Sequence, residues 1–493
     1  MKKIYLILTA ALLSATQLFA ASTVTVNDVI GRFSGGLNIG ADAQTGEVVL
    51  LPGSADGKVT LVLPDFNFGG LPLGDIVVTN ASLSSTGAVS GITEYPLYIP
   101  FLKTRALVSI NPRSSKLTAS TAKLNLTINV TGLDPIPVTF DGERIAKNFQ
   151  MPNAGFENNW HTVNKGVEPE YWHSFNSGTG DFISSTQDNT QLTESNDVRP
   201  GSTGNKSALI KSRYIVIARA NGNFTNGQIN AASWTATDGQ NNYNFSDPSN
   251  NGFNTTFTAT PDSIAFWAKY IPVSGTNTTK ARMHAIITTN AYYKDPEDGG
   301  SYDNVKVAEA AINYDPTNGW KRLCVPFEYS NVGADKAAYI LINFTTNQTP
   351  GGGNTSSSNV DQLYLDDVEM IYNANLKSLS IGNEAILFTN GNANSTQTYC
   401  DSCYTADVAL DGTGAAAYVG YNAVNNQMLV YVTPNNYAES KAYKLYIVTM
   451  KENDATAIDN TKAEIKVKKL VMNGQVLIIR DNIWYDMLGN RVR

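Results

Sequence analysis

The feature that most constrains this chain is a succession of short, turn-bounded runs between Ser22 and about Asp141: "TVTVNDVIGRFSGGLNIG", "GEVVLLPG", "GKVTLVLPDFNF", "GDIVVTN", "SKLTAS" and "AKLNLTINV". Almost every run alternates in polarity or is β-branched, and none carries a helical apolar period. Strands of this kind at spacings of roughly ten residues predict a barrel or a sandwich. The same character continues downstream in "KSALIKSRY", "DSIAFWAKY", "TKARMHAIITTN", "NGWKRLCVPFEY", "AAYILINFTTN" and "DQLYLDDVEMIY", linked by polar loops such as "SDPSNNGFNTT" and "NQTPGGGNTSSSN". The predicted fold class is all-β.

At 493 residues the chain exceeds one ordinary core, and a prior of about 150 residues per domain predicts roughly three. A net charge of -7 with 16% charged residues leaves no basic stripe for nucleic acid, which is excluded as a partner. Low charge, 39 Gly and 24 Tyr suit polar loops that meet polysaccharide or protein surfaces. Lys2 and Lys3 precede the apolar run from Ile4 to Leu13, and Ala20 and Ala21 follow. That is the layout of a secretory signal peptide over residues 1–20. No later segment approaches the roughly 18 apolar residues of a membrane span. The expectation is an exported chain without a transmembrane segment, in the periplasm, at the outer-membrane surface or outside the cell. With no cysteine near the cleavage point, a lipid-modified N-terminus is not expected.

Of the three cysteines, Cys400 and Cys403 form "CDSC", which lacks the strand-then-helix context of a redox motif and is half a zinc site at most. A local disulfide, free thiols and metal chemistry all stay open there. Cys324 in "RLCVPF" reads as a small buried hydrophobe without a disulfide partner.

Several stretches carry resemblances. The strand around Gly31, Arg32 and Phe33, then "VTLVLPDFNFGGLPLGDIVV" and "LNLTINVTGLDPIPVTFDGER", resemble the calycin-like, lipocalin-like domains of exported Gram-negative proteins. This implies a β-barrel over 21–147 that can enclose one small ligand. "GFENNW", Trp172, "KSALIKS", "NGNFTNGQI" and "LYLDDVEMIY" resemble the putative carbohydrate metabolism domain, a jelly-roll related to galactose-binding-like modules. It implies a β-sandwich with a glycan role over 148–373. "LKSLSIGNEAILFTN" to "SKAYKLYIVTM" resembles small cadherin-like, immunoglobulin-type sandwiches over 374–451, which implies a spacer. The remainder, 452–493, resembles a linker and a short sorting-type C-terminal tail, as in type IX secretion. Together these refine the all-β class to an N-terminal β-barrel, a central jelly-roll β-sandwich and a small C-terminal immunoglobulin-like β-sandwich.

Chemistry-bearing residues are sparse. Three histidines, His161, His173 and His284, show no zinc-ligand spacing and read as hydrogen-bonded residues. There is no G-x-S-x-G elbow. Glycoside hydrolysis needs two facing carboxylates; Glu168, Glu170, Asp181, Asp298 and Asp303 are loop candidates. Glu157 in "GFENNW" and Asp366 and Asp367 in "LYLDDVEMIY" are hard oxygen ligands. The jelly-roll resemblance implies that they meet at a structural calcium, the one cofactor expected.

Sugar C–H faces stack on exposed aromatic rings while neighbouring polar groups bond the hydroxyls. Trp160, Trp172, Tyr243, Tyr292 and Tyr293 are the glycan-binding candidates, with Phe245 and Phe253 as further loop aromatics. A tryptophan is buried on average, so Trp172 reads more as core than as a platform; Trp234 is open and Trp267 reads as core. The function expected is non-catalytic glycan binding or adhesion at a Gram-negative surface, with no catalytic residue assigned. A carbohydrate-active enzyme using loop carboxylates and an assembly protein that binds other surface proteins are the alternatives.

Overall fold

The computed structural model describes residues 23–450, save 69–70, 91–94, 100–103, 131–133, 216–217, 274–278, 300–301, 352–359, 382–383, 389–393, 396–405, 423–424 and 426, together with strands at 468–472, 475–480 and 483–485. The signal-peptide segment, Cys400 and Cys403, and the linker lie outside the described residues. The three late strands, Lys468–Met472, Gln475–Arg480 and Ile483–Tyr485, form an antiparallel sheet of their own.

The all-β class holds. Gly31–Ile39, Asp42–Pro52, Lys58–Phe68 and Leu71–Leu83 run as an antiparallel meander. Thr121–Val130 and Ile136–Arg144 return to pair with Gly31–Ile39. Closure comes from the other side, where Thr121–Val130 also pairs with Thr104–Ile110 and Lys116–Leu117. A bridge joins Ala88 to Lys116, and the Leu117 N–H donates to the Gly87 carbonyl at 2.8 Å. Gly87 has φ +85°, and a Cβ there would lie 2.1 Å from the Leu117 carbonyl oxygen. Only glycine lets the closing strands approach this closely.

Alternation explains the barrel interior. Ala122, Leu124, Leu126, Ile128 and Val130 point inward from one strand and meet Phe33, Phe66 and Phe140 in one apolar cluster. Burying each Leu, Ile, Val or Phe side chain of this set stabilises the fold by about 1.5–3 kcal/mol.

The runs that do not alternate report a second contact. In Asp42–Pro52, Val48 and Leu50 enter the barrel core, while Val49 and Leu51 lie on its outer side. There they pack with Val62, Val77, Tyr418, Leu429 and Tyr431. The strand Gln427–Thr433 is likewise buried on both sides, with Met428, Val430 and Val432 in a separate core. The third unit is therefore clasped to the barrel wall. Tyr437 donates its hydroxyl to the Leu50 carbonyl at 2.8 Å, and the Val419 N–H donates to Asp75 Oδ2 at 2.7 Å.

The central unit consists of two five-stranded antiparallel sheets. One orders Leu192–Ser195, Ser207–Lys211, Gln362–Ile371, Ser263–Ile271 and Lys321–Pro326. The other orders Asn223–Thr225, Tyr339–Thr345, Ala281–Thr288, Lys306–Tyr314 and Glu328–Tyr329. Their facing sides share one core that includes Phe224, Phe266, Met283, Ile342, Phe344 and Leu365, as expected of a sandwich. A small sheet, Gln228–Ala231, Asn242–Ser246 and Tyr293–Asp295, covers part of the second sheet's outer face.

Two single-residue readings are corrected. Trp267 is half-buried, with the Arg199 guanidinium 5.5 Å from its ring centroid, and does not belong to the core. Cys324 is free, but it is exposed on the strand Lys321–Pro326.

Candidate functional site

Strand alternation places polar groups on the outer face of the second sheet. In Ala281–Thr288, Met283, Ala285 and Ile287 enter the core, which turns Arg282 and His284 outward. In Tyr339–Thr345, Ile340, Ile342 and Phe344 point in, so Asn343 and Thr345 point out. The register sets Arg282 opposite Thr345 and His284 opposite Asn343. With Asn223 and Thr225 beside them, these side chains make a polar floor.

The floor is tied together by hydrogen bonds. Arg282 donates through Nη1 and Nη2 to both carboxylate oxygens of Asp295, each at 2.9 Å. Asn343 donates to Asp295 Oδ2 at 2.7 Å and accepts from Thr225 and Asn244. Asn223 and Asn244 exchange reciprocal amide bonds of 2.8 and 2.9 Å. His284 reaches Asp295 at 3.1 Å and Glu309 at 2.8 Å. Burial would lower the His284 pKa, but its bonds to Asp295 and Glu309 outweigh burial and raise it. Asp295 is held well below the carboxylate range despite burial, by His284 and Arg282. Satisfied networks of this kind fix side chains in one arrangement.

Above the floor lies a cleft of about 340 Å³. Asn221, Asn223, Asn230, Asn242, Asn244 and Gln348 bring carboxamides to its lining, and Phe182, Trp234 and Tyr243 bring rings. Trp234 is 52% exposed, and its ring centroid lies 4.9 Å from that of Phe182. Asp295 is the one carboxylate lining the cleft among the described residues, and Arg282 and Asn343 already engage it. Asn242 spends its carboxamide on Ala232, Ser233 and Thr235 and Asn230 donates to the Asn241 carbonyl, so the amide capacity offered to hydroxyl groups lies chiefly with Asn221 and Gln348, while the rings can take apolar faces.

The candidates named from sequence divide. Tyr243 lines the cleft, and Tyr292, 40% exposed, stands beside it through Phe245. Trp172 is 0% exposed and stacks on Phe224 at 5.3 Å in the sandwich core, so it offers no ring to a ligand. Tyr293 is 1% exposed, packs with Ile286 and Leu341, and cannot do so either. Trp160 packs against the same core as Trp172, with its indole N–H donated to the Phe156 carbonyl at 2.7 Å. Sequence reasoning left Trp234 open and missed Arg282, Asp295 and the asparagines. The available signal was the outward polar series in "ARMHAI" and "INFTTN", where a two-sided core strand would be apolar throughout.

The loop carboxylates do not converge on the cleft. Glu168 is buried beneath Ser174 and Ser177, accepting from Ser174 N and Oγ at 2.8 and 2.6 Å. Glu170 accepts from Asn159, and Asp298 pairs with Lys294. Glu170, Asp181, Asp298 and Asp303 are absent from the cleft lining. His161 bonds the Asn159 carbonyl and His173 pairs with Glu168. Among the described residues no cluster of three or more His, Cys, Asp or Glu could hold a metal.

Glu157 and Asp367 nevertheless share a small polar cleft with Thr203, Gly204 and Asn205. A Cβ on Gly204 would fall 1.8 Å from Glu157 Oε1, so glycine lets the backbone reach the carboxylate. Asp366 lies behind with a buried Oδ1 that has no hydrogen bond. Burial, and then the Asp367 charge, push its carboxyl up to about 6. Glu157 also accepts from the Asn205 and Lys206 backbone N–H groups at 3.2 and 3.1 Å, and Arg199 is bound to Asp367 at 2.5 Å.

No protein-family model and no curated protein matches this chain. Among solved structures it is similar to a chain described as a "putative glycoside hydrolase" from Bacteroides thetaiotaomicron, with 17% identity and TM-score 0.34, over 58% of this chain and 89% of that one. A second chain so described, from Bacteroides vulgatus, has 18% identity and TM-score 0.30, over 44% of this chain and 96% of that one. A family 11 carbohydrate-binding module from Clostridium thermocellum has 11% identity and TM-score 0.20, over 46% of this chain and 96% of that one.

Proposed function

We propose that this is an exported, non-catalytic carbohydrate-binding protein of a Gram-negative cell surface, and that the central sandwich binds glycan in the cleft lined by Trp234. The observation that carries this reading is the pairing of an exposed tryptophan with a lining of carboxamides over a floor already fixed by its own bonds. A stacking ring removes the apolar face of a sugar from water, and preset amides meet its hydroxyls without reordering. A binding role is favoured over hydrolysis because hydrolysis asks for two opposed carboxylates, and among the described residues Asp295 is the one carboxylate that lines the cleft, already engaged by Arg282 and Asn343.

Export rests on the signal-peptide pattern of residues 1–20. Among the described residues no helix is long and apolar enough to cross a membrane. A structural Ca²⁺ belongs to the same reading: Glu157 and Asp367 would hold it, stabilising the sandwich without taking part in binding.

The test is a glycan array probed with the full chain, beside a reducing-sugar release assay on every glycan retained. Retention without release is expected. Release of reducing ends would replace binding by catalysis, and no retention would overturn the glycan reading.

A further inference from the structure

The cleft does not end at its lining. Tyr243 and Phe245 lie two residues apart on the strand Asn242–Ser246, which puts both rings on one face of the small sheet. Their centroids are 5.7 Å apart, and a further 5.7 Å leads from Phe245 to Tyr292. Tyr243 belongs to the cleft as well, so the three rings continue its surface outward.

The row is braced. Lys294 sits 4.2 Å from the Tyr243 ring centroid, held by the Gln240 carbonyl at 3.3 Å and by Asp298 at 3.0 Å. The rings are not coplanar: successive planes turn by 63° and 34°. A flat crystalline surface would meet one ring at a time, whereas a chain that twists along its length can follow all three.

Charge narrows the class further. In the lining, Arg282 is neutralised by Asp295 and Arg219 by Asp361. Lys294, beside the row, is paired with Asp298. No unpaired cation is therefore offered to an acidic sugar among these groups.

Resting on the glycan reading, we infer that the site takes a soluble, uncharged polysaccharide chain over several consecutive units, with Trp234 and the amide cleft holding one segment and the Tyr243, Phe245 and Tyr292 row holding the next. Hydroxyl-reading carboxamides then set the sugar, and the row sets the length.

The experiment titrates the full chain by calorimetry with neutral gluco-, xylo-, manno- and arabino-oligosaccharides from disaccharide to octasaccharide. The same titrations use Trp234→Ala, Phe245→Ala and Tyr292→Ala, with folding checked by thermal melts. Affinity is expected to rise by about tenfold or more with length in one series. Phe245→Ala and Tyr292→Ala should erase that rise and leave the shortest ligand unaffected, while Trp234→Ala should weaken every length. Affinity independent of length, or row variants that bind long chains normally, would overturn the extended site and leave the cleft standing. No binding at any length would overturn both, and preference for a uronic-acid polymer run in parallel would overturn the uncharged class.

Discussion

Arg282 and Asp295 meet in a two-pronged ion pair, both bonds 2.9 Å, on the floor of the carboxamide-lined cleft. The pair neutralises itself, so the cleft offers shape, amides and rings in place of free charge. Its geometry comes from two strands that follow one another along the chain, Ala281–Thr288 and Tyr293–Asp295, which lie in different sheets.

The charge cluster beneath the cleft predicts a window of stability. Glu309 is lowered to about 2, below its ordinary 4.5, chiefly by its bond to His284, and Asp295 is lowered too. Their contributions are complete above their ordinary values and are lost as pH falls through the lowered ones. His284 has the opposite sign: raised above 6.5, it contributes fully below that value and less as pH rises through its raised pKa. Urea midpoints should therefore peak between these limits, and His284→Gln should flatten the alkaline decline. An unchanged decline in that variant would contradict the assignment.

Trp172 separates core from site. It is fully buried against Phe156 and Phe224, so Trp172→Ala should cost about 3–5 kcal/mol in denaturant unfolding. Stability within about 0.5 kcal/mol of the parent would be the behaviour of a surface ring.

The clasp between the third unit and the barrel wall is tested at Tyr437. Its buried hydroxyl bonds the Leu50 carbonyl, and Tyr437→Phe should lower stability by about 1 kcal/mol. The barrel and the third unit should melt in one transition. Two separate calorimetric transitions in the parent protein would contradict a shared interface.

For calcium, millimolar Ca²⁺ should raise the melting temperature, EDTA should reverse the rise, and Glu157→Gln should abolish it. A melting temperature indifferent to both additions would remove the ion from the Glu157 and Asp367 cleft.

The all-β class was legible because alternation is written residue by residue, as in "AKLNLTINV". The clasp was legible in principle: "EVVLLP" and "QMLVYVT" are apolar at successive positions, which a strand with one wet face does not tolerate. What hid it is that continuous apolarity reports burial on both sides without naming the partner. The site was harder. Trp172 and Trp234 occupy loops of similar polarity, and only the packing of Phe224 against Trp172 decides which ring is hidden. Asp295 and Asn343 meet through sheet register and tertiary packing, which no local pattern encodes.

The account rests on the exposed Trp234 lining the amide cleft. The most direct measurement is the affinity of the full chain and of Trp234→Ala for the tightest neutral glycan found on the array, by titration calorimetry, with thermal melts of both. The account predicts a loss of about tenfold or more, roughly 1.4 kcal/mol, with an unchanged melting temperature. Equal affinity in the two proteins would place glycan binding elsewhere and contradict it.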